Sequence, residues 1–251
     1  MASILEDVRV FLGGADLALS LTKFSYETST EEKDVTTFRT GTPASSSANT
    51  AKLVVGGLEM SSVKMEGNSE AGSDADEDRP DDLFWQSRGT PTPLTVAPDG
   101  SALGDVALLT NLTPMKLITL GAPGDVWSYE VDGTTEATQR GQFLLPVSSV
   151  AADGDGTAME LGAVTAGQQL HFSAHVLAYP DGDSIVLSLE SSADEAFTSP
   201  TTQLTTGSFT ATGAELLSSD GSAVTDTWYR VSWDITGSSG SFVVVAAAAI
   251  Y

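Results

Sequence analysis

From Val8 onward the chain is a succession of short runs in which apolar and polar residues alternate, broken by Gly, Pro and Asp-Gly steps. Trp228 to Ile235 shows the pattern most plainly. Tyr229, Val231, Trp233 and Ile235 fall on one face, and Trp228, Arg230, Ser232 and Asp234 on the other. Period-two alternation belongs to a half-buried strand, because successive side chains of a strand point to opposite faces. Comparable strand-like runs occupy Val8–Leu12, Leu21–Glu27, Gly56–Gly67, Asp105–Leu112, Met115–Leu120, Val126–Val131, Gln142–Val147, His171–Tyr179 and Ser184–Ser191. Strands at roughly eight-to-twelve-residue spacing, with turn residues between them, restrict the fold to an all-β sandwich or barrel. Phe242 to Ile250 is nearly all apolar, which fits either a central strand covered on both faces or an oligomer contact. One short helix is expected. Pro80 suits a first helical position, Asp81 and Asp82 suit the positive end of the dipole, and Gly89 can end the segment.

With 251 residues the chain can form one large all-β domain or two small ones. Val150 to Thr157 holds small residues and two Asp-Gly steps, which favour turns. It predicts a boundary between a β domain at 1–150 and an additional β-sandwich-like portion at 151–251. No run of 18 apolar residues is present, so no membrane-spanning helix is expected. Met1 to Asp7 lacks the basic start and apolar core of a secretory signal. The absence of cysteine excludes disulfides and thiolate metal sites.

Charge narrows the function classes. The chain carries 34 acidic against 11 basic residues, a formal net charge of −23, and only five of the basic residues are lysine. Such a surface repels phosphate backbones, so a specific nucleic-acid grip is not expected. Three origins of the acidity remain open: an acidic channel past which DNA slides, a halophilic host, or plain solubility. The acids are spread along the whole chain, which a channel lining alone would not require.

Catalytic and metal-binding patterns are weak. Asp153-Gly154-Asp155-Gly156 and Asp181-Gly182-Asp183 have spacing that could cup Ca²⁺. An EF-hand loop, however, would need a ligand at Thr157 and a glutamate at Val164; ordinary Asp-Gly turns are the simpler reading. His171 and His175 on a strand stand about 13 Å apart, too far to share a metal. There is no Gly-x-Ser-x-Gly elbow and no evident Ser–His pair. A paired-carboxylate glycosidase has no supporting motif. Trp228 is the candidate for an exposed sugar-stacking platform, while Tyr229 and Trp233 share a face with Val231 and Ile235 and are expected in the core. No cofactor is expected.

Several segments, taken in order, resemble one family. They are the Gly13-Gly14-Ala15-Asp16 turn, the strand Leu21–Glu27, Asp34-Val35-Thr36-Thr37-Phe38, the Gly57-Leu58 turn and a strand closing on Gly67. Thr90-Pro91-Thr92-Pro93-Leu94, Ala122-Pro123-Gly124-Asp125-Val126 and Arg140-Gly141-Gln142-Phe143-Leu144 continue the series. The succession resembles major tail tube proteins of long-tailed, siphovirus-type viruses. The resemblance implies a tail-tube-type β-sandwich or barrel with one short helix, whose N-terminal half forms the wall of a hexameric ring. Rings would stack into a tube for DNA in the virion tail, with further copies of the chain and other tail proteins at the tube ends as partners. It implies no enzyme activity, no cofactor and no membrane. The stretches Thr28–Lys52 and Asn68–Pro80 are too long for hairpin turns, and loops of that length are usually functional or disordered. They place the expected assembly contacts at Asp34, Val35, Thr36, Thr37, Phe38 and Arg39, and at Asp74, Asp76, Glu77 and Asp78. The rival from another class is a secreted or cell-surface β-sandwich module that binds carbohydrate.

Overall fold

Hydrogen-bonded ladders join the alternating runs into two antiparallel sheets. The computed structural model describes residues 7–18, 20–34, 54–68, 80–120, 126–238 and 240–251. The first half supplies β1 (Arg9–Leu12), β2 (Ala15–Asp16), β3 (Leu21–Asp34), β4 (Val54–Asn68), the helix α1 (Pro80–Ser87), β5 (Thr92–Ala97), β6 (Val106–Leu120), β7 (Ser128–Thr135) and β8 (Gln139–Val150). The second half supplies β9 (Gly154–Asp155), β10 (Met159–Glu160), β11 (Leu170–Ala178), β12 (Ser184–Ser192), β13 (Thr201–Thr205), β14 (Gly213–Ser218), β15 (Trp228–Thr236) and β16 (Phe242–Ile250). The fold is all-β with one short helix, as the sequence pattern requires.

The larger sheet follows the order β14-β11-β16-β8-β6-β5-β1-β2, with β7, β4 and β3 branching from β6. The smaller sheet runs β10-β15-β12-β13, with β9 also on β15. The larger sheet is continuous across position 150, because β16 returns to pair with β8. Its main path also coils until its ends meet. Gly14, at φ +94°, lies in the tight turn after β1, where any Cβ would collide with the backbone of Gly213 at the start of β14.

Three apolar clusters fill this frame. One lies between the two sheets and holds Leu144, Phe172, Val176, Leu187, Tyr229, Val231, Val244 and Ala246. A second lies under the branch and holds Val10, Leu12, Val63, Met65, Phe84, Tyr129 and Val131. Between them sits a third cluster of Phe11, Ala97, Ala107, Leu109, Phe143, Val245, Ala247 and Ala249. The apolar run Phe242–Ile250 is thereby explained. Val244, Ala246 and Ala248 enter the first cluster while Val245, Ala247 and Ala249 enter the third, so the strand is covered on both faces from within the chain.

Two expectations change. The stretch from Thr28 to Asp34, placed in a loop from sequence, continues β3, which pairs with β4 as far as Asp34↔Val54. Asp105–Leu112 and Met115–Leu120, expected as separate strands, form the single strand β6. Pro114 does not end it. The register instead shifts between Pro114 and Lys116, a bulge that accommodates the missing N–H.

Candidate functional site

The branch β3-β4-β7-β6 is a four-stranded sheet with two different faces. Leu21, Phe24, Tyr26, Val63, Met65, Tyr129, Val131 and Leu117 belong to or pack on the apolar cluster beneath it. The intervening residues point the other way, and along paired positions they form an ionic surface: Lys23↔Glu66, Glu66↔Glu130, Lys64↔Asp132 and Lys116↔Asp132. Alternation built both faces at once, since a one-residue slip would exchange them.

Among the described side chains of this surface, Lys23, Lys64 and Lys116 are each matched. Lys23 Nζ lies 2.9 Å from Glu66 Oε1, Lys64 Nζ 2.9 Å from Glu130 Oε1 and 3.6 Å from Glu66, and Lys116 Nζ 3.3 Å from Asp132 and 4.0 Å from Glu130. The hydrogen bond to Glu130 raises the Lys64 pKa, and the hydrogen bond from Lys23 lowers that of Glu66. Three lysines thus face Glu66, Glu130 and Asp132, with Glu27 one row further along. In a chain of net charge −23 the described side chains of this surface come close to neutral.

The edges of the branch are its second feature. β3 pairs with β4 only, so one side of a 14-residue strand has no ladder partner among the described residues. At the opposite border, β5 pairs with Thr92↔Leu112 through Val96↔Leu108, while β7 holds the other side of β6 from Leu112 to Leu120. Beyond Leu112 the outer side of β6 therefore has no strand beside it among the described residues. The end of α1 covers only its first step, through Gly89 N–H donating to Pro114 O at 2.9 Å. An unpaired row of N–H and C=O groups is a template for another strand. Elsewhere edges are closed or blunt: β2 meets β14, and the smaller sheet ends on strands of two and five residues.

Of the assembly residues expected from sequence, Asp34 is the last residue of β3. Val35, Thr36, Thr37, Phe38, Arg39, Asp74, Asp76, Glu77 and Asp78 lie outside the described residues. The two long edges that the structure brings out were not singled out in the sequence. What the sequence did carry was the ionic face, in the alternation of Lys23, Lys64, Glu66, Lys116, Glu130 and Asp132 with apolar neighbours.

The other candidates are occupied structurally. Asp153 accepts from Ile235 N–H at 2.8 Å, and Asp155 pairs with Arg230 at 3.2 Å. Asp183 is buried and accepts from Ser238 N–H. Among the described residues no three His, Asp or Glu side chains come together as a metal site, and no helix is long and apolar enough to cross a membrane. His171 and His175 share a face of β11, but that face is interior. His175 is fully buried, with Nε2 2.9 Å from Thr95 Oγ1 and 3.2 Å from Ser173 Oγ; burial lowers its pKa to about 3. Trp228 is half-buried rather than exposed, and Trp233 Nε1 donates to Ala152 O at 2.8 Å.

No family model and no curated protein matches the chain. Similar solved structures include a chain from the virion of a native gene transfer agent particle, at 16% identity over 55% of this chain and 98% of that one, with a TM-score of 0.41. A chain from the tail of an empty gene transfer agent particle, refined with C6 symmetry, is 20% identical over 55% of this chain and 97% of that one, at a TM-score of 0.37. The Dit protein of SPP1, described as a paradigm of the hub adsorption apparatus in phages infecting Gram-positive hosts, is 10% identical over 98% of this chain and all of that one, at a TM-score of 0.34.

Proposed function

We propose that this chain is a structural subunit of a viral tail tube, joined edge to edge into rings that stack around a DNA channel in the virion. The observation that carries the reading is the four-stranded branch with a free edge on either side. Its strands alternate in direction, so β3 and the free half of β6 run antiparallel to one another. Rotation about an axis roughly along the strands preserves direction. It therefore brings the β6 edge of one copy beside the β3 edge of the next in the antiparallel sense. Such a heterologous contact closes into a ring when its rotation closes, and closure removes both edges. The order of sequence segments that resembles tail tube proteins supports the same reading, and six is the expected copy number.

In such a ring the apolar face must point outward, since the rest of each subunit is packed against it. The ionic face then lines the channel. A conduit must not hold its cargo, because each phosphate held by Lys or Arg adds affinity. A lining on which Lys23, Lys64 and Lys116 are already paired with carboxylates meets that condition. Residues 1–150 supply all four ring strands, and 151–251 form an exterior addition. Residues 34–39, with Asp74, Asp76, Glu77 and Asp78, serve contacts between stacked rings, and other tail proteins cap the tube. Removal of residues 40–50 leaves a folded subunit that does not polymerise.

Negative-stain microscopy of the purified protein in dilute and in molar salt tests the proposal. Rings or tubes, favoured by salt, are expected. Monomers under every condition, retained on a glycan column, would instead establish the carbohydrate-binding alternative.

A further inference from the structure

The two free edges of the branch also differ in relief. Beside β3 the apolar face is incompletely covered. A groove of about 390 Å³ opens there, lined by Val8, Leu21, Phe24, Tyr26, Val96 and Leu108. Leu21, Phe24 and Tyr26 are half-buried at its floor, although they pack on the cluster beneath. Beside β6 the relief is reversed. Met115, the extra residue at the bulge, is 62% exposed, and so is Trp85 on α1. Arg88 stacks over the Trp85 ring at 4.7 Å, and the end of the helix is bonded to Pro114. A protruding apolar shoulder thus stands at one border and an apolar groove at the other.

Register places them at the same height. Across the branch, Phe24 is level with Met65, Val131 and Leu117, and Tyr26 is level with Val63, Gly133 and Pro114. When β6 of a second copy is laid beside β3, its Pro114–Leu117 stretch arrives opposite Tyr26–Phe24, give or take the stagger that strand tilt introduces. The groove is therefore open where the shoulder lands.

We propose that the occupant of the groove is a second copy of this chain, whose Met115 and Trp85 seat against Leu21, Phe24 and Tyr26 and anchor the ring contact. This rests on the edge-to-edge reading and adds to it the side chains that supply its affinity. Strand pairing alone gives backbone hydrogen bonds to any strand, whereas an aromatic and a methionine buried in a fitted groove select the partner. Met115 and Trp85 also account for exposed apolar surface that a free subunit would otherwise carry.

The absence of cysteine makes the contact directly readable. Ser25 is level with Lys116, the neighbour of Met115, and both Ser25 and Met115 are exposed. Within one subunit β3 and β6 are three strand spacings apart, about 14 Å, beyond the ~7 Å Cα separation a disulfide tolerates. A Ser25→Cys/Met115→Cys double variant, assembled in molar salt and oxidised, is expected to give a covalent ladder ending at the ring size. Each single variant should give nothing beyond a dimer. Met115→Glu and Trp85→Glu, both at exposed positions, should keep the monomer's melting temperature and raise the concentration needed for assembly at least tenfold. Rings that form without a ladder overturn the seating and leave the tube reading intact. A wild-type protein that forms neither rings nor tubes, and a double variant that gives no ladder, overturn both.

Discussion

The strands β11 and β16 and the branch β3-β4-β7-β6 are built on the same ladder chemistry, yet they end differently. β16 has β8 on one side and β11 on the other, and its two faces are buried in separate clusters. Nothing there is left for a partner. The branch buries only one face, turns paired ionic side chains to the other side, and keeps two long edges without strands among the described residues. The first region is complete within one chain, and in the proposed ring the second is completed by further copies. Substitutions in the first should therefore change the stability of the isolated subunit, and those in the second should change assembly.

The largest effect expected is in the complete region. Phe172 is fully buried between the sheets. Phe172→Ala should destabilise the monomer by about 3–5 kcal/mol, the usual cost of an emptied aromatic site, measured by urea unfolding. A loss below about 1 kcal/mol would show that the inter-sheet cluster is not the stabilising element described here.

Next in size is an acid response at the seam between the clusters. His175 lies against Thr95, Ser173 and the Phe11 ring, and its Nδ1 has no hydrogen-bond partner among the described residues. Burial lowers its pKa to about 3 from the ordinary 6.5. Below about pH 6.5 the unfolded chain takes up a proton there and the folded chain does not, so acid favours unfolding. The stability this histidine supports is whole above pH 6.5 and is lost as pH falls toward 3. By pH 5 the loss is about 2 kcal/mol, at 1.36 kcal/mol per unit. His175→Leu should reduce the difference in unfolding free energy between pH 7 and pH 5 by that amount, while Thr95 and Ser173 remain bonded to each other. An unchanged difference would contradict a neutral, buried His175.

Smaller effects belong to the branch. Lys64→Met should shift the monomer's melting temperature by about one degree or less, because exposed pairs contribute little. It leaves the ionic face negative, so more salt should be needed for rings to form, as screening shortens from ~10 Å at 0.1 M to ~3 Å at 1 M. Sedimentation across a salt series reads this; an unchanged salt midpoint would place Lys64 away from any crowded surface. The smallest signal concerns DNA. Duplex binding to cross-linked tubes should be weaker than micromolar even at low salt, by mobility shift. Salt-sensitive binding tighter than that would contradict the passive lining.

Local patterns were legible in the sequence. The two faces of Trp228–Ile235, the turn at Gly13-Gly14 and the helix from Pro80 appear where alternation, a positive-φ turn and helix-start chemistry put them. The apolar run Phe242–Ile250 correctly signalled burial on both faces but could not say against what. That depends on β16 returning across about a hundred residues to β8, and non-local pairing leaves no local trace. The break expected between Leu112 and Met115 is absent for the opposite reason: β6 carries Pro114 through a register shift at an edge. His171 and His175 carried the right period for one face, but whether that face met solvent or Phe11 was decided by the coiling of the sheet. The ionic face of the proposed assembly surface was legible in its alternation, and its edges were hidden, because an edge is defined by which strands are missing beside it.

Hydrogen exchange of the backbone amides, compared between monomer and assembled protein, tests the central claim most directly. Assembly should slow exchange at least tenfold in two separated stretches, Leu21–Thr28 of β3 and Lys116–Thr119 of β6, and leave β11, β12, β15 and β16 unchanged. Protection gained on the smaller sheet, with β3 and β6 still exchanging as in the monomer, would contradict a ring joined through the edges of the branch.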